Sequence, residues 1–174
     1  MPFRCHSPSL DDDGLYGAQK MAMLSAHGLK KGHSYTLSRN RVDGNLIFAL
    51  RVDAMTLADL GKVDRAKAGN PVTITNELKA LRTLAELCTT MEKRYPTRLE
   101  DDVKILQEDE AKKEGDPSSG LSPRIRDAIR HRHGEKWVLR DCVDVVRAQW
   151  HSLLTADKNP LDDDEEESLS LIHI

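Results

Sequence analysis

The residues best equipped for chemistry sit in one stretch, His131-Arg132-His133-Gly134-Glu135-Lys136-Trp137. Two histidines are the beginning of a metal site, but residues two apart on a helix point about 160° away from each other and cannot share an ion. No metal-ligand set is therefore expected. Cys5, Cys88 and Cys142 are far apart, odd in number and without a CxxC pair, which suggests neither a disulfide framework nor a zinc knuckle and fits a reducing compartment. The glycines form neither a G-x-G-x-x-G nor a P-loop spacing, and no serine occupies a G-x-S-x-G elbow, so nucleotide binding and Ser-His-Asp hydrolysis have no support. What remains is a surface. On a helix, Arg126, Arg130, His133, Trp137 and Arg140 project within about 40° of one direction. Trp and Arg are enriched at interface anchors, which makes these five the candidate protein-binding residues. The alternative is a basic outer face with Trp137 partly covered by a neighbour or stacked on by arginine.

The elements that must position these residues are mostly helical. Asp11, Asp12 and Asp13 precede an apolar-periodic stretch that predicts a helix to about His27, and Gly28 sits where a helix end favours positive φ, with Leu29 as the contact beyond it. Ser34 to Ser38 alternates Tyr35 and Leu37 and predicts a short extended segment. Leu46, Ile47, Leu50 and Val52 form an apolar cluster. Thr56-Leu-Ala-Asp59 reads as a cap opening a short helix, and Gly61 to Pro71 as a loop. From Thr75 to Arg94, Leu78, Leu81, Leu84, Ala85, Cys88 and Met91 fall within a helical arc of about 140°. Thr97-Arg-Leu-Glu100 matches a capping box, so a second helix buried by Leu99, Val103 and Leu106 would pair with the first in an αα-hairpin across Tyr95-Pro96. Lys112 to Gly120 reads as a mobile charged connector. Ser122-Pro123 starts a long helix to about Leu153, with Gly134 as a place for a kink.

The 174 residues suffice for one domain, and with 39% apolar and 32% charged residues the chain is expected to fold. A net charge of −3 argues against a general phosphate-binding surface, and thus against nucleic acid as partner. No membrane-spanning run or secretory signal is present, so a soluble, intracellular protein is expected, with cytoplasm, nucleus and plastid unresolved. The expected organisation is a disordered N-terminus over residues 1–11, a helical domain over 12–154, and an acidic disordered tail over 155–174. The last six residues, 169–174, resemble a translated sequencing adapter.

Four motifs stand in order: Asn76-Glu77-Leu78-Lys79-Ala80-Leu81, Tyr95-Pro96-Thr97-Arg98-Leu99-Glu100-Asp101-Asp102, Leu121-Ser122-Pro123-Arg124 and Gly134-Glu135-Lys136-Trp137-Val138-Leu139. Together they resemble the Rubisco large-subunit methyltransferase type of substrate-binding domain, the helical C-terminal lobe of SET-domain protein-lysine methyltransferases. Leu15-Tyr16 through Leu29 and Leu46 to Val52 extend the resemblance over about residues 12–154. Arg98 replaces a usual Thr, Asp101 stands where Glu is common, and the segment before Gly120 is long.

The resemblance implies a mostly α, irregular helical bundle with an αα-hairpin, a long C-terminal helix and at most one short extended segment. It implies a domain that holds a protein substrate and buttresses a SET lobe, which itself binds S-adenosylmethionine and methylates lysine or, in one branch, histidine. The SET cofactor motif Asn-His-Ser/Cys is not found here. Gly134-Glu135-Lys136 and Tyr16-Gly17 only echo other SET segments. The expectation is therefore a non-catalytic substrate-binding and scaffolding lobe, a fragment lacking its SET domain, with no catalytic, cofactor or metal residues of its own. The alternative is a free-standing helical protein-interaction adaptor without methyltransferase activity.

Overall fold

The computed structural model describes residues 3–6, 14–30, 33–38, 41–116 and 118–156. It is mostly helical, in the order β1 (Phe3–His6), α1 (Gly14–Ala26), β2 (Ser34–Ser38), β3 (Arg41–Val42), α2 (Gly44–Ala54), a 3-10 turn (Leu57–Lys62), α3 (Val63–Lys67), α4 (Ile74–Glu92), α5 (Leu99–Gly115) and α6 (Pro123–Ala156). No helix among the described residues is long and apolar enough to cross a membrane.

The end of α1 follows directly from its sequence. Gly28 adopts φ 79°, and the N–H groups of Gly28 and Leu29 donate to the carbonyls of Ser25 and Leu24 at 2.9 Å each. This is the paired closure of a Schellman motif, and Leu24 and Leu29, both buried, make its hydrophobic contact. Tyr35 and Leu37 on β2 point into the core as their alternation predicts. That strand is not the single extended segment expected. It is the middle of a three-stranded antiparallel sheet in the order β1-β2-β3, with Phe3 opposite Leu37 and Leu37 opposite Val42. Phe3–His6, expected within a disordered terminus, are ordered by backbone partners far along the chain, which no local pattern announces. The remainder of residues 1–11, the acidic run Asp162–Glu167 and residues 169–174 lie outside the described residues.

Helix α2 starts where Asp43 accepts a hydrogen bond from Asn45 N–H at 2.9 Å. Its side chains are buried on nearly all sides because α1, α3 and α4 all pack on it. At Thr56 the expected cap is present, the Asp59 carboxylate accepting from Thr56 N–H at 3.0 Å and from its hydroxyl at 2.8 Å. The expected loop at Gly61–Pro71 contains α3, one turn held by buried Ala66 and closed at Gly69, whose φ is 83°.

Helix α6 is the spine. Both α4 and α5 pack along it, and β2 touches it from the sheet side. The two helices joined by the Tyr95-Pro96 turn are present, but each rests mainly on α6 and only slightly on the other. The apolar core joins the sheet, α1, α2, α4 and the second half of α6 through Leu37, Leu46, Leu81, Leu84, Leu139 and Val146. Helix α5 runs on through Lys112 to Gly115 instead of ending in a mobile connector, since its Lys and Glu residues are good helix formers and Lys112 and Lys113 complement the negative helix end. Helix α6 passes unbroken through Gly134.

These backbones predict opposite outcomes for two glycines. Gly28→Ala forces a left-handed conformation on an L residue and should lower stability by about 1 kcal/mol. Gly134→Ala, at a helical position with no atom within 4 Å of the added Cβ, should raise it by up to about 1 kcal/mol. Urea midpoints at unchanged slope measure both.

Candidate functional site

The polar residues of the four motifs converge in the structure, and they do so on one another. Lys136 and Asp102 are both 0% exposed and lie in the interface of α5 and α6. Lys136 Nζ donates to Asp102 Oδ2 at 2.6 Å, to Thr97 Oγ1 at 2.7 Å and to the Arg98 carbonyl at 3.2 Å, which uses all three ammonium protons. Thr97 passes the hydrogen bond on, its hydroxyl donating to Asp102 Oδ1 at 2.9 Å. Arg132 closes the cluster with Nε and Nη2 both on the same carboxylate. Asp102 thereby accepts four hydrogen bonds, the full capacity of its two oxygens. Burial pushes the Asp102 carboxyl up, but the hydrogen bonds from Arg132, Lys136 and Thr97 outweigh it and hold the group below its usual value.

Two turns along α5, Asp109 repeats the arrangement at 1% exposure. It accepts from Leu121 N–H at 2.6 Å and from Arg126 Nε, while Arg126 Nη2 reaches the Leu121 carbonyl at 3.0 Å. The chain must pass close to this carboxylate at Gly120, where φ is 124° and an added Cβ would lie 2.7 Å from Asp109 Oδ1. The third motif is thus the clasp between α5 and α6. At the turn, Tyr95 donates to Glu135 at 3.0 Å, and burial with that bond pushes the phenol pKa up.

The first motif acts similarly between α2 and α4. Glu77 pairs with Arg51 through Nε at 2.6 Å and Nη2 at 2.9 Å, and Arg51 Nη1 donates to the Gly69 carbonyl at 2.8 Å. Asn76 Nδ2 donates to the Arg51 carbonyl at 2.9 Å. Its Oδ1 is the buried side-chain atom without a hydrogen-bond partner among the described residues.

The expected capping box at Thr97 and Glu100 is displaced by one residue. Helix α5 begins after Arg98, whose N–H donates to Asp101 at 2.8 Å, because the Thr97 hydroxyl is taken by the Asp102–Lys136 cluster. Glu100 instead pairs with Arg140.

The five candidate binding residues have different fates. Arg126 is nearly buried against Asp109, Arg130 lies 3.9 Å from Glu110, and Arg140 bridges Glu92 at 2.9 Å and Glu100. The acidic partner of this cationic stripe is, for those three, the chain's own α5 together with the end of α4. His133 and Trp137 are half-buried, so part of each stays accessible. His131 and His133 do not converge on a metal, and no group of three or more potential ligands occurs among the described residues. Sequence reasoning passed over Lys136 and Asp102 as site residues. A lysine on the flank of an apolar arc and an aspartate seven residues from another on the facing helix were the available signals.

An open cleft of about 410 Å³ lies on the sheet side, between β3, α2, α4 and α6. Arg41, Asp141 and Gln149 edge it, Ile47 and Val145 line it, and Arg51 and Glu77 reach it from below. Arg51 is already engaged bidentately by Glu77.

Three outcomes follow from the buried clusters. Lys136→Ala should lower stability by about 3 kcal/mol, and Asp102→Leu with Lys136→Met should recover more than half of that, because an unpaired buried charge costs more than a packed apolar pair. Gly120→Ala should cost about 2 kcal/mol, more than Gly28→Ala, since steric contact adds to the backbone strain. Because the Asp102 pKa is depressed on folding, its contribution is complete above the unfolded value of about 3.9 and is lost as pH falls through the folded value. Thermal melts should drop below about pH 4, and less steeply for Asp102→Asn.

Residues 11–139 match the Rubisco LSMT substrate-binding family. The actin-histidine N-methyltransferases of Callithrix jacchus and Homo sapiens are each 29% identical over 175 residues, covering 92% of this chain and 28% of theirs. The chain therefore spans little more than a quarter of the curated relatives it matches. Among solved structures, Rubisco LSMT bound to AdoMet superposes with a TM-score of 0.68 at 17% identity, over 99% of this chain and 42% of that one. The SET domain of LSMT bound to lysine and AdoHcy gives a TM-score of 0.69 at 17% identity, over 99% and 40%. These likenesses establish a shared fold, and the match across most of the chain, with its motif residues forming the buried clasps of α4, α5 and α6, places this protein in the Rubisco LSMT substrate-binding family.

Proposed function

We propose that this chain is the non-catalytic substrate-binding and scaffolding lobe of a SET-type protein N-methyltransferase. One observation supports this most: the family's polar motif residues are spent on holding four helices in two registered pairs, α2 with α4 and α5 with α6, so the lobe contributes a shaped, rigid surface rather than a reaction. Partner contacts then fall to two accessible surfaces, the cleft edged by Arg41, Asp141 and Gln149 and the half-buried part of α6 around His133 and Trp137. S-adenosylmethionine would be bound by a catalytic lobe outside these residues, and the acceptor would be a lysine or histidine side chain of a folded protein.

Isothermal titration of the purified chain with S-adenosylmethionine should give no stoichiometric heat; a one-to-one binding isotherm would overturn the assignment. Supplied in trans to a SET lobe lacking its C-terminal domain, the chain should bind that lobe and raise methyl transfer to the protein substrate. Capture of a protein without any gain in methylation would favour the free-standing adaptor. Trp137→Ala should weaken binding of the SET lobe or substrate about tenfold or more while hardly moving the melting temperature.

A further inference from the structure

Where α4 packs on α6, beyond the Glu92–Arg140 pair, Cys88 of α4 and Cys142 of α6 come together in the core. Both thiols are reduced and buried in the same apolar cluster, and one hydrogen-bonds to the other. Cys142, at 5% exposure, also lines the open cleft, whereas Cys88 is at 0% and does not. We propose that Cys88 and Cys142 are a redox modification site, closing reversibly to a disulfide that staples α4 to α6 beneath the cleft.

The chemistry needs one molecule of hydrogen peroxide. The Cys142 thiolate attacks the O–O bond, taking one oxygen as a sulfenic acid while the other leaves as hydroxide and is protonated to water. The Cys88 sulfur then attacks the sulfenic sulfur, the S–O bond breaks, and the departing oxygen leaves as water with the Cys88 proton. Two thiols lose two electrons and two protons, and the peroxide becomes two waters. The order of events follows from access and from the thiols themselves. The hydrogen bond from Cys88 holds the Cys142 thiol below its usual range, against burial and the nearby Asp141 charge. The resolving sulfur is already in contact, so sulfenic acid at Cys142 is trapped before a second oxidation. In a reducing compartment such a bond is a transient, signal-like state rather than a structural one. Leu84 and Val146, one turn on, line the cleft directly. The staple would fix the spacing of the two helices that form that wall.

The test uses the full chain carrying Cys5→Ser. After brief hydrogen peroxide treatment, alkylation under denaturing conditions and tryptic mapping, a Cys88–Cys142 linked peptide should appear. The intact mass should fall by about 2 Da, the melting temperature should rise by roughly 5 °C, and dithiothreitol should reverse all three changes. Quantitative alkylation of both cysteines after peroxide, or over-oxidation of Cys142 without a link, would overturn the proposal. In Cys88→Ser, with the resolving sulfur gone, Cys142 sulfenic acid should accumulate and be trapped by dimedone. If that variant does not fold, the peptide map of the Cys5→Ser chain decides alone. Failure here leaves the proposed function untouched, since binding of a SET lobe does not depend on the thiols.

Discussion

The contact on which the rest of the structure depends is the one between Lys136 and Asp102, two full charges with no exposure to water. Taking such groups out of water costs several kcal/mol each, and only complete hydrogen bonding offsets it. Here the geometry is complete: three ammonium protons have three acceptors, and the two carboxylate oxygens accept four donors from Lys136, Thr97 and Arg132. These partners come from the Tyr95–Arg98 turn, the first turns of α5 and the middle of α6. One cluster therefore ties the three pieces at a single register, and a slip of either helix would strand a buried charge.

The molecule joins its two halves by different physics. Toward the sheet, α6 is held by an apolar core of close-packed leucines and valines, which tolerates small shifts so long as volume is kept. Toward α5, the seam is polar, with Asp102 and Asp109 meeting Lys136, Arg132 and Arg126. Directional bonds tolerate such shifts poorly, so the α5–α6 hairpin is specified by registry more than by burial. Rigidity is thereby delivered where little apolar area is available.

Features set by neighbours in the chain were legible in advance. The Schellman closure at Gly28, the Asp59 cap at Thr56, the Ser122-Pro123 start and the leucine stripe of α4 each depend on a few consecutive residues and side-chain chemistry. The family motifs were legible too, as patterns, but their work was not. The cationic stripe of Arg126, Arg130 and Arg140 read as a candidate surface for an acidic partner, and the structure sets each of the three beside a carboxylate of α5. The same event moved the start of α5: Thr97 would have capped the helix locally, but a buried lysine and aspartate claimed its hydroxyl.

By itself, then, the sequence determined that the chain is mostly helical, where several of the helices are capped, which faces are apolar, and which family's pattern the chain carries. Those are properties of backbone caps and of a period of about 3.6 residues, both local. Only the tertiary structure decided that Phe3–His6 is a strand, that Lys136 lies inside rather than out, and that α4 and α5 rest on α6 rather than mainly on each other. Each of these is settled by groups distant in sequence. A hydrogen-bonded charge is indistinguishable from a solvated one until its partner's position in space is known.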